Sequence, residues 1–294
     1  MSENIIKSIC WDITSRCNES CGFCYRNQNN KELDLNSNKI ILKKLIDFGV
    51  DKISFVGGEP LLYDGLFELL KWGKLYAKDK TIFSITTNAI LLSNIVDNKV
   101  KINEEMLKKV LELFDWVTFS LDAPNRETQS MMGRNPMHFD RVVAILEYLN
   151  DIDYQNKVKI NTVVSKVNID YILDLYKILC GYNVKRWKIF RFLASRGNAL
   201  EFRDKYYISE NIFLSKVQEI YKCNDMIKKI KISVNGYDTF DNSYITISSE
   251  GKLVVYDGIC YINQMDLLND DINNILKYID IEGHTRNRSD FLYV

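Results

Sequence analysis

Apolar and polar positions alternate in blocks along the first two-thirds of the chain, with short strand-like runs followed by longer helix-like ones. Ile41, Leu42, Leu45 and Ile46 recur at helical spacing before Gly49, which predicts a helix and its end. Other helical patterns cover residues 66–75, 138–149 and 169–179, and one begins at Asn103. Strands are predicted at residues 11–14, 52–56, 82–86, 116–120, 158–163 and 186–190. This order predicts a parallel sheet covered by helices.

The strand–helix pattern fades near residue 200, short of the ~250 residues that an eight-unit barrel needs. We therefore predict an α/β fold, a partial (βα)6-type TIM barrel over residues 1–200. Residues 201–294 are predicted to be a C-terminal α+β extension that closes the substrate site. Within it, residues 244–248 and 252–256 are predicted to form a hairpin around Glu250-Gly251.

Composition and charge disfavour nucleic acid and a membrane as partners of this chain. The chain has 294 residues, is 46% hydrophobic, and has 39 Lys and Arg against 39 Asp and Glu. A zero net charge disfavours a generally basic nucleic-acid binder. No apolar run approaches the ~20 residues that span a bilayer, and the N-terminal segment lacks the apolar part of a signal peptide. We expect a cytoplasmic monomer without a membrane or nucleic-acid partner.

Three of the seven cysteines form a C-x3-C-x2-C run at Cys17, Cys21 and Cys24. Three thiolates on one loop can hold three irons of a [4Fe-4S] cluster, which leaves the fourth iron open for chemistry. The expected occupant is the amino and carboxylate end of S-adenosylmethionine. The alternative is a non-enzymatic zinc module with Cys10 as the fourth ligand.

A glycine turn follows the strand predicted at residues 52–56, in the run Gly57-Gly58-Glu59-Pro60. Glycines let the backbone approach a ligand closely. With the cysteine run, this motif resembles the radical S-adenosylmethionine (radical SAM) superfamily. The resemblance implies a [4Fe-4S] cluster on the three cysteines and S-adenosylmethionine as cofactor. The residues that it assigns to this cofactor are Gly57, Gly58, Glu59, Asn88, Ser120 and Arg134.

A closer resemblance, from about Trp11 to Tyr293, is to the viperin family and its prokaryotic members. It extends to residues 51–60, 159–161, 186–190 and 242–244. It implies a nucleoside triphosphate substrate, whose site residues would be Lys52, Arg134, Lys159, Asn161, Lys188 and Tyr244. Outside the resemblance, the basic side chain of Arg288 could close over the phosphates. The strand pattern agrees, because Lys159 and Asn161 share one face, as do Arg186 and Lys188. Alternatively, these lysines are exposed charges at a strand edge.

The resemblance implies a reaction in which an adenosyl radical takes the ribose 4′ hydrogen of CTP, UTP or GTP. Loss of the 3′ hydroxyl as water, with addition of an electron and a proton, would give the 3′-deoxy-3′,4′-didehydro nucleotide, with an antiviral role. An electron donor such as flavodoxin or ferredoxin would be needed. The alternative enzyme is a radical SAM enzyme that acts on a peptide or another metabolite.

Three further ionisable residues are less informative. Asp12, close to the predicted triphosphate site, must turn away from it or bind a cation. His138 and His284 are too far apart in sequence for a short metal motif, and we expect both at the surface or capping a helix.

Overall fold

The structure is a computed structural model that describes residues 6–26, 30–152, 154–182, 184–227, 230–236, 244–256 and 261–288. Its strands are β1 (Ile9–Thr14), β2 (Lys52–Gly57), β3 (Ile82–Thr87), β4 (Ser93–Val96), β5 (Lys99–Ile102), β6 (Trp116–Ser120), β7 (Val158–Val164), β8 (Arg186–Arg191), β9 (Lys231–Asn235), β10 (Thr246–Ile247), β11 (Lys252–Tyr256) and β12 (Tyr261–Asp266). Its helices are α1 (Leu35–Phe48), α2 (Leu66–Ala77), α3 (Glu104–Leu113), α4 (Arg126–Met131), α5 (His138–Asn150), α6 (Ile172–Gly181), α7 (Gly197–Glu201), α8 (Arg203–Tyr206), α9 (Glu210–Ile227) and α10 (Ile281–Arg288).

The main sheet has the strand order β12-β11-β10-β1-β2-β3-β6-β7-β8-β9. Pairing is parallel from β10 through β9, and antiparallel between β10, β11 and β12. Strands β1, β2, β3, β6, β7 and β8 are the six of the predicted partial barrel, so the α/β fold class is confirmed. Strand β9 extends the parallel sheet beyond residue 200, and the domain division at that residue stays a prediction.

Local sequence explains where the helices begin and end. The Asp34 side chain accepts hydrogen bonds from the N–H groups of Asn36 and Ser37 at the start of α1. Gly49 ends that helix with a φ of 87°, in the left-handed region that glycine adopts without steric cost. At the start of α3, Asn103 accepts from the N–H of Met106, as its position predicted.

The core lies between the sheet and its covering helices. Three fully buried aromatic rings lie on neighbouring strands, where Phe55 stacks on Trp11 on one side and on Phe83 on the other. The ring of Phe114 packs against Phe55 edge-on. Aromatic pairs of this kind stabilise a core by about 0.5–1.5 kcal/mol each beyond their burial. The outward faces of the strands are thus filled, which leaves their inward faces to form the barrel interior.

The C-terminal segment packs back on the barrel. The ammonium of Lys44 on α1 donates to the carbonyl oxygens of Leu267, Leu268 and Asp270 at 2.9–3.0 Å. The predicted hairpin is confirmed, since β10 pairs antiparallel with β11. Through β10, which pairs with β1, this hairpin borders one edge of the barrel. Across the described ranges, the structure has no helix with the length and apolarity to cross a membrane.

Candidate functional site

The barrel interior is a single continuous cavity into which the predicted site residues converge. All of them except Glu59 and Arg288 line it. The cysteines, the glycine turn, Asn88 and Ser120 enter from the carboxyl ends of the strands, whereas the three lysines enter from residues nearer the strand starts. The side chain of Arg288 lies outside the described residues. The part of the site that bears the cysteines has the placement expected of a barrel enzyme, at the carboxyl ends of its strands.

The loop that bears the cysteines is fixed by segments far away in sequence. Behind it lies a small apolar cluster whose buried members are Cys21, Phe23, Met132, Phe192, Ala199 and Tyr206. The N–H of Ala199 donates to the Cys24 carbonyl at 2.9 Å, and the Asn198 amide donates to the Cys21 carbonyl at 3.1 Å. Gly133 has a φ of 87°, and a Cβ there would lie 2.9 Å from the Gly22 nitrogen. The loop is therefore held on two sides before any ligand binds.

The three thiols fit an iron–sulfur cluster by their chemistry and by their position on the cavity wall. Burial raises the pKa of Cys17 to about 11 and raises the pKa of Cys21 and of Cys24, with Arg134 opposing the shift at the latter two. Binding iron as thiolates would therefore release protons. Among the residues described, no three His, Cys, Asp or Glu side chains converge on one metal-ion position. A cluster needs no such convergence, because each thiolate binds a different iron.

Arg134 lies at the centre of a buried ion network. It donates to Glu19 at 2.5 Å and to Asp122 at 2.9 Å, and its own side chain is 9% exposed. Asp122 also accepts from the N–H of Val163, which links the end of β6 to β7. Arg134 was predicted to contact the cofactor or a phosphate, whereas no role was predicted for Glu19. An acidic residue between two cysteines was the signal that could have drawn attention to it.

Glu59 joins the glycine turn to the end of β3. It is fully buried, and its carboxylate accepts from the N–H of Leu61 (3.1 Å), the hydroxyl of Thr87 (2.7 Å) and the N–H of Asn88 (2.7 Å). Burial raises its pKa to about 7, against the effect of these three donors. Glu59 thereby orients Asn88, which does line the cavity. Its assignment to S-adenosylmethionine stays a prediction.

Replacing Glu59 by Ala is expected to lower the free energy of unfolding by about 3 kcal/mol or more, since three buried donors lose their acceptor. Glu59→Gln keeps one acceptor oxygen and should cost less. Because the folded pKa of about 7 lies above the ordinary value of 4.5, the stability due to protonating Glu59 is present in acid and declines as pH rises through 7. Urea unfolding between pH 5 and 8 measures both effects. Equal midpoints for wild type and Glu59→Ala would contradict this role.

Three lysine side chains occupy the barrel interior. Lys52, Lys159 and Lys188 are 3%, 9% and 1% exposed, so the alternative that they are exposed edge charges is wrong. Parallel pairing aligns Ser120 with Asn161 and Asn161 with Lys188, which brings them to one inner face. Of the described acidic residues, those that line the cavity are Glu19 and Asp122, and both bind Arg134. The lysine region of the cavity therefore carries three ammonium groups.

Two polar groups complete this region. The carbonyl oxygen of the Asn161 side chain is buried and accepts no hydrogen bond from any described residue. Asp12 pairs with Arg26 and lies 3.9 Å from Arg196. Asp12 was expected either to turn away from the triphosphate or to bind a cation, and these two arginines compensate its charge.

Comparison with known proteins settles the family. The family model described as the radical SAM superfamily matches residues 11–179, more than half of the chain. The chain belongs to the radical SAM superfamily. Members of this superfamily use a [4Fe-4S] cluster and S-adenosylmethionine, so the predicted cofactors and enzymatic nature are confirmed, and they need a reductant.

Sequence relatives narrow the family. A protein of Flammeovirga pacifica named S-adenosylmethionine-dependent nucleotide dehydratase is 29% identical over 259 residues, 85% of this chain and 82% of its own length. A protein of Siniperca chuatsi with that name and the suffix RSAD2 is 29% identical over 70% of this chain and 57% of its own length. A probable GTP 3′,8-cyclase of Methanocaldococcus jannaschii is 27% identical over 92% of this chain and 88% of its own length. The names of the first two relatives support the predicted viperin-like family.

Solved structures agree on the fold of this radical SAM protein. SuiB of Streptococcus suis, bound to S-adenosylmethionine, superposes with a TM-score of 0.70 at 19% identity, over 97% of this chain and 68% of that one. The protein anSMEcpe, with bound S-adenosylmethionine, gives a TM-score of 0.70 at 14% identity, over 98% and 84%. At these identities the likeness establishes the partial-barrel fold and nothing finer.

Proposed function

We propose that this radical SAM enzyme removes water from a nucleoside triphosphate to give its 3′-deoxy-3′,4′-didehydro analogue. The observation that carries the proposal is the trio of buried lysines Lys52, Lys159 and Lys188 in the cavity that also holds the cysteine loop. Each of these three lysines lines that cavity with a side chain that ends in an ammonium group. Three of them converging in one cavity suit a polyanion such as a triphosphate.

The chain's own residues would divide the work along the cavity. Cys17, Cys21 and Cys24 would hold the cluster, and Gly57, Gly58, Asn88, Ser120 and Arg134 would surround S-adenosylmethionine. Once reduced, these cofactors supply an adenosyl radical that can abstract hydrogen. The lysines would fix the triphosphate, and the buried Asn161 oxygen would accept a hydrogen bond from a ribose hydroxyl. Anchoring both ends of the substrate would present one sugar hydrogen to the reactive end of the cavity.

Tyr244 lies beside the same cations, with its ring centre 5.8 Å from the Lys188 ammonium. We therefore place it near the nucleotide, and Arg288 stays a prediction as a phosphate ligand. A flavodoxin or ferredoxin as electron donor, a cytoplasmic location, a monomeric state and an antiviral role are also predictions.

A second reaction on the same substrate class is suggested by the relative named probable GTP 3′,8-cyclase. The name of this relative also specifies a nucleoside triphosphate as the substrate. The reaction that it names, however, closes a ring between the sugar and the base. Cyclisation keeps all atoms of the nucleotide, whereas dehydration removes one water. The mass of the product therefore separates the two reactions.

The test is to incubate reconstituted, reduced protein with S-adenosylmethionine and CTP, UTP, GTP or ATP in turn. We expect at least one of them to accelerate release of 5′-deoxyadenosine and to yield a nucleotide lighter by one water, detected by mass spectrometry. A product of unchanged mass would favour cyclisation. Acceleration by a peptide or another metabolite and by none of the nucleotides would refute the triphosphate assignment.

A further inference from the structure

The cysteine loop contains an acidic side chain that neither the cofactor assignment nor the triphosphate site uses. Glu19 lies between Cys17 and Cys21, and its side chain is 2% exposed. Its backbone N–H donates to the Cys17 sulfur at 3.4 Å, and its carboxylate Oε2 lies 3.8 Å from the Cys21 sulfur. A carboxylate is therefore part of the immediate surroundings of the sulfur ligands.

Residues outside the loop fix the direction of this carboxylate. The Nη1 atom of Arg134 donates to Oε2 at 2.5 Å, and the N–H of Asn135 donates to Oε1 at 3.0 Å. The other side of Arg134 binds Asp122, whose side chain is 1% exposed. Moving the Glu19 carboxylate would break a buried, charge-assisted pair, which is among the stronger contacts of a protein interior.

The Glu19 carboxylate lies in a buried ion pair with Arg134. Because Arg134 also pairs with Asp122, the group contains two carboxylates and one guanidinium. His138 also faces this region, and burial together with the charge of Arg134 lowers its pKa to about 3, so it is neutral at physiological pH. Asp122 is already engaged by the same arginine.

We propose that Glu19 is a fixed negative charge that lowers the reduction potential of the cluster held by Cys17, Cys21 and Cys24. Reduction adds negative charge to the cluster, and a buried anion close to its ligands raises the free energy of that reduced state. Net charge near the sulfurs is one of the factors that set the potentials of such clusters. Glu19 would thus make the centre harder to reduce, whatever the substrate is, so the inference goes beyond the proposed function.

The test measures the midpoint potential of reconstituted protein without S-adenosylmethionine or nucleotide, by redox titration followed with electron paramagnetic resonance. Glu19→Gln keeps the size of the side chain and removes its charge, whereas Glu19→Asp keeps the charge. Glu201→Gln is the matched control, because Glu201 is exposed at the end of α7, where water and salt screen its charge. We expect a shift to more positive potential in Glu19→Gln. Glu19→Asp should stay nearer to wild type, and Glu201→Gln should equal it.

A wild-type potential in Glu19→Gln overturns the proposal, and so does an equal shift in Glu201→Gln. The cluster requires about four irons per chain. If Glu19→Gln binds less iron than this, the potential is measured in Glu19→Met, a second variant without the charge. Loss of iron from both, with a lower melting temperature, would assign Glu19 a structural role and also overturn the proposal. No nucleotide is present, so failure of the triphosphate assignment would leave this result unchanged.

Discussion

Replacing any one of Cys17, Cys21 and Cys24 by Ala is expected to abolish release of 5′-deoxyadenosine. Each thiol supplies one of three protein ligands to the cluster, and the thioether, amide and hydroxyl groups nearby are poor substitutes for a thiolate. The reconstituted variants should therefore lose most of their iron and the visible absorbance of the cluster. Iron analysis, absorption spectra and chromatography of the reaction products provide the measurements.

Cys10 is the matched control for these substitutions. It lines the same cavity from β1 but lies outside the C-x3-C-x2-C loop. Cys10→Ala should keep about four irons per chain and the cleavage of S-adenosylmethionine. If Cys10→Ala instead lost its metal together with the three loop variants, and that metal were zinc, the site would be the four-cysteine zinc module.

Lys188→Met should strongly weaken stimulation by nucleotide while leaving the cluster and the slow cleavage without substrate intact. Methionine fills the space of the lysine stem and removes the ammonium that would meet the triphosphate. Losing a charged hydrogen bond to phosphate costs about 2 kcal/mol or more, which is roughly a thirtyfold loss of affinity. We expect Lys159→Met to behave alike. Isothermal titration with the preferred nucleotide and steady-state assays measure the loss.

Stability separates this binding role from a structural one. If Lys188 serves substrate binding rather than folding, Lys188→Met should lose nucleotide affinity while its urea-unfolding midpoint stays close to that of wild type. Lys231→Met on the adjacent strand β9 is the control, because Lys231 is exposed and should change neither property. Wild-type nucleotide affinity in Lys188→Met would remove Lys188 from the substrate site.

Strands and helices were well predicted where apolar residues recur at regular spacing, because each of these elements has one apolar face that must be buried. Strand β6 has the predicted bounds, and β7 and β8 are each one residue longer than predicted. After residue 200 this relation weakens. Helix α9 carries exposed Ile212 and Leu214 among its polar residues, so its apolar positions do not mark a single face.

Burial of charge was only partly predictable. The face shared by Lys159 and Asn161 follows from strand geometry, but that this face encloses a cavity follows only from closure of the sheet. The two histidines were expected at the surface or capping a helix, and the surface placement is wrong. His138 and His284 are both buried, and Nε2 of His284 accepts from the N–H of Lys7, 277 positions away. Contacts of such long sequence separation leave no local pattern.

The same separation has a consequence for how the metal centre matures. The cysteine loop is made early during synthesis, but Gly133, Asn198, Ala199 and Tyr206, which hold it, are made more than a hundred residues later. A nascent chain that ends before residue 206 therefore cannot have a complete scaffold around its thiols. Insertion of iron and sulfur into the final geometry must wait until the barrel has closed, so maturation follows translation of this region rather than accompanying it.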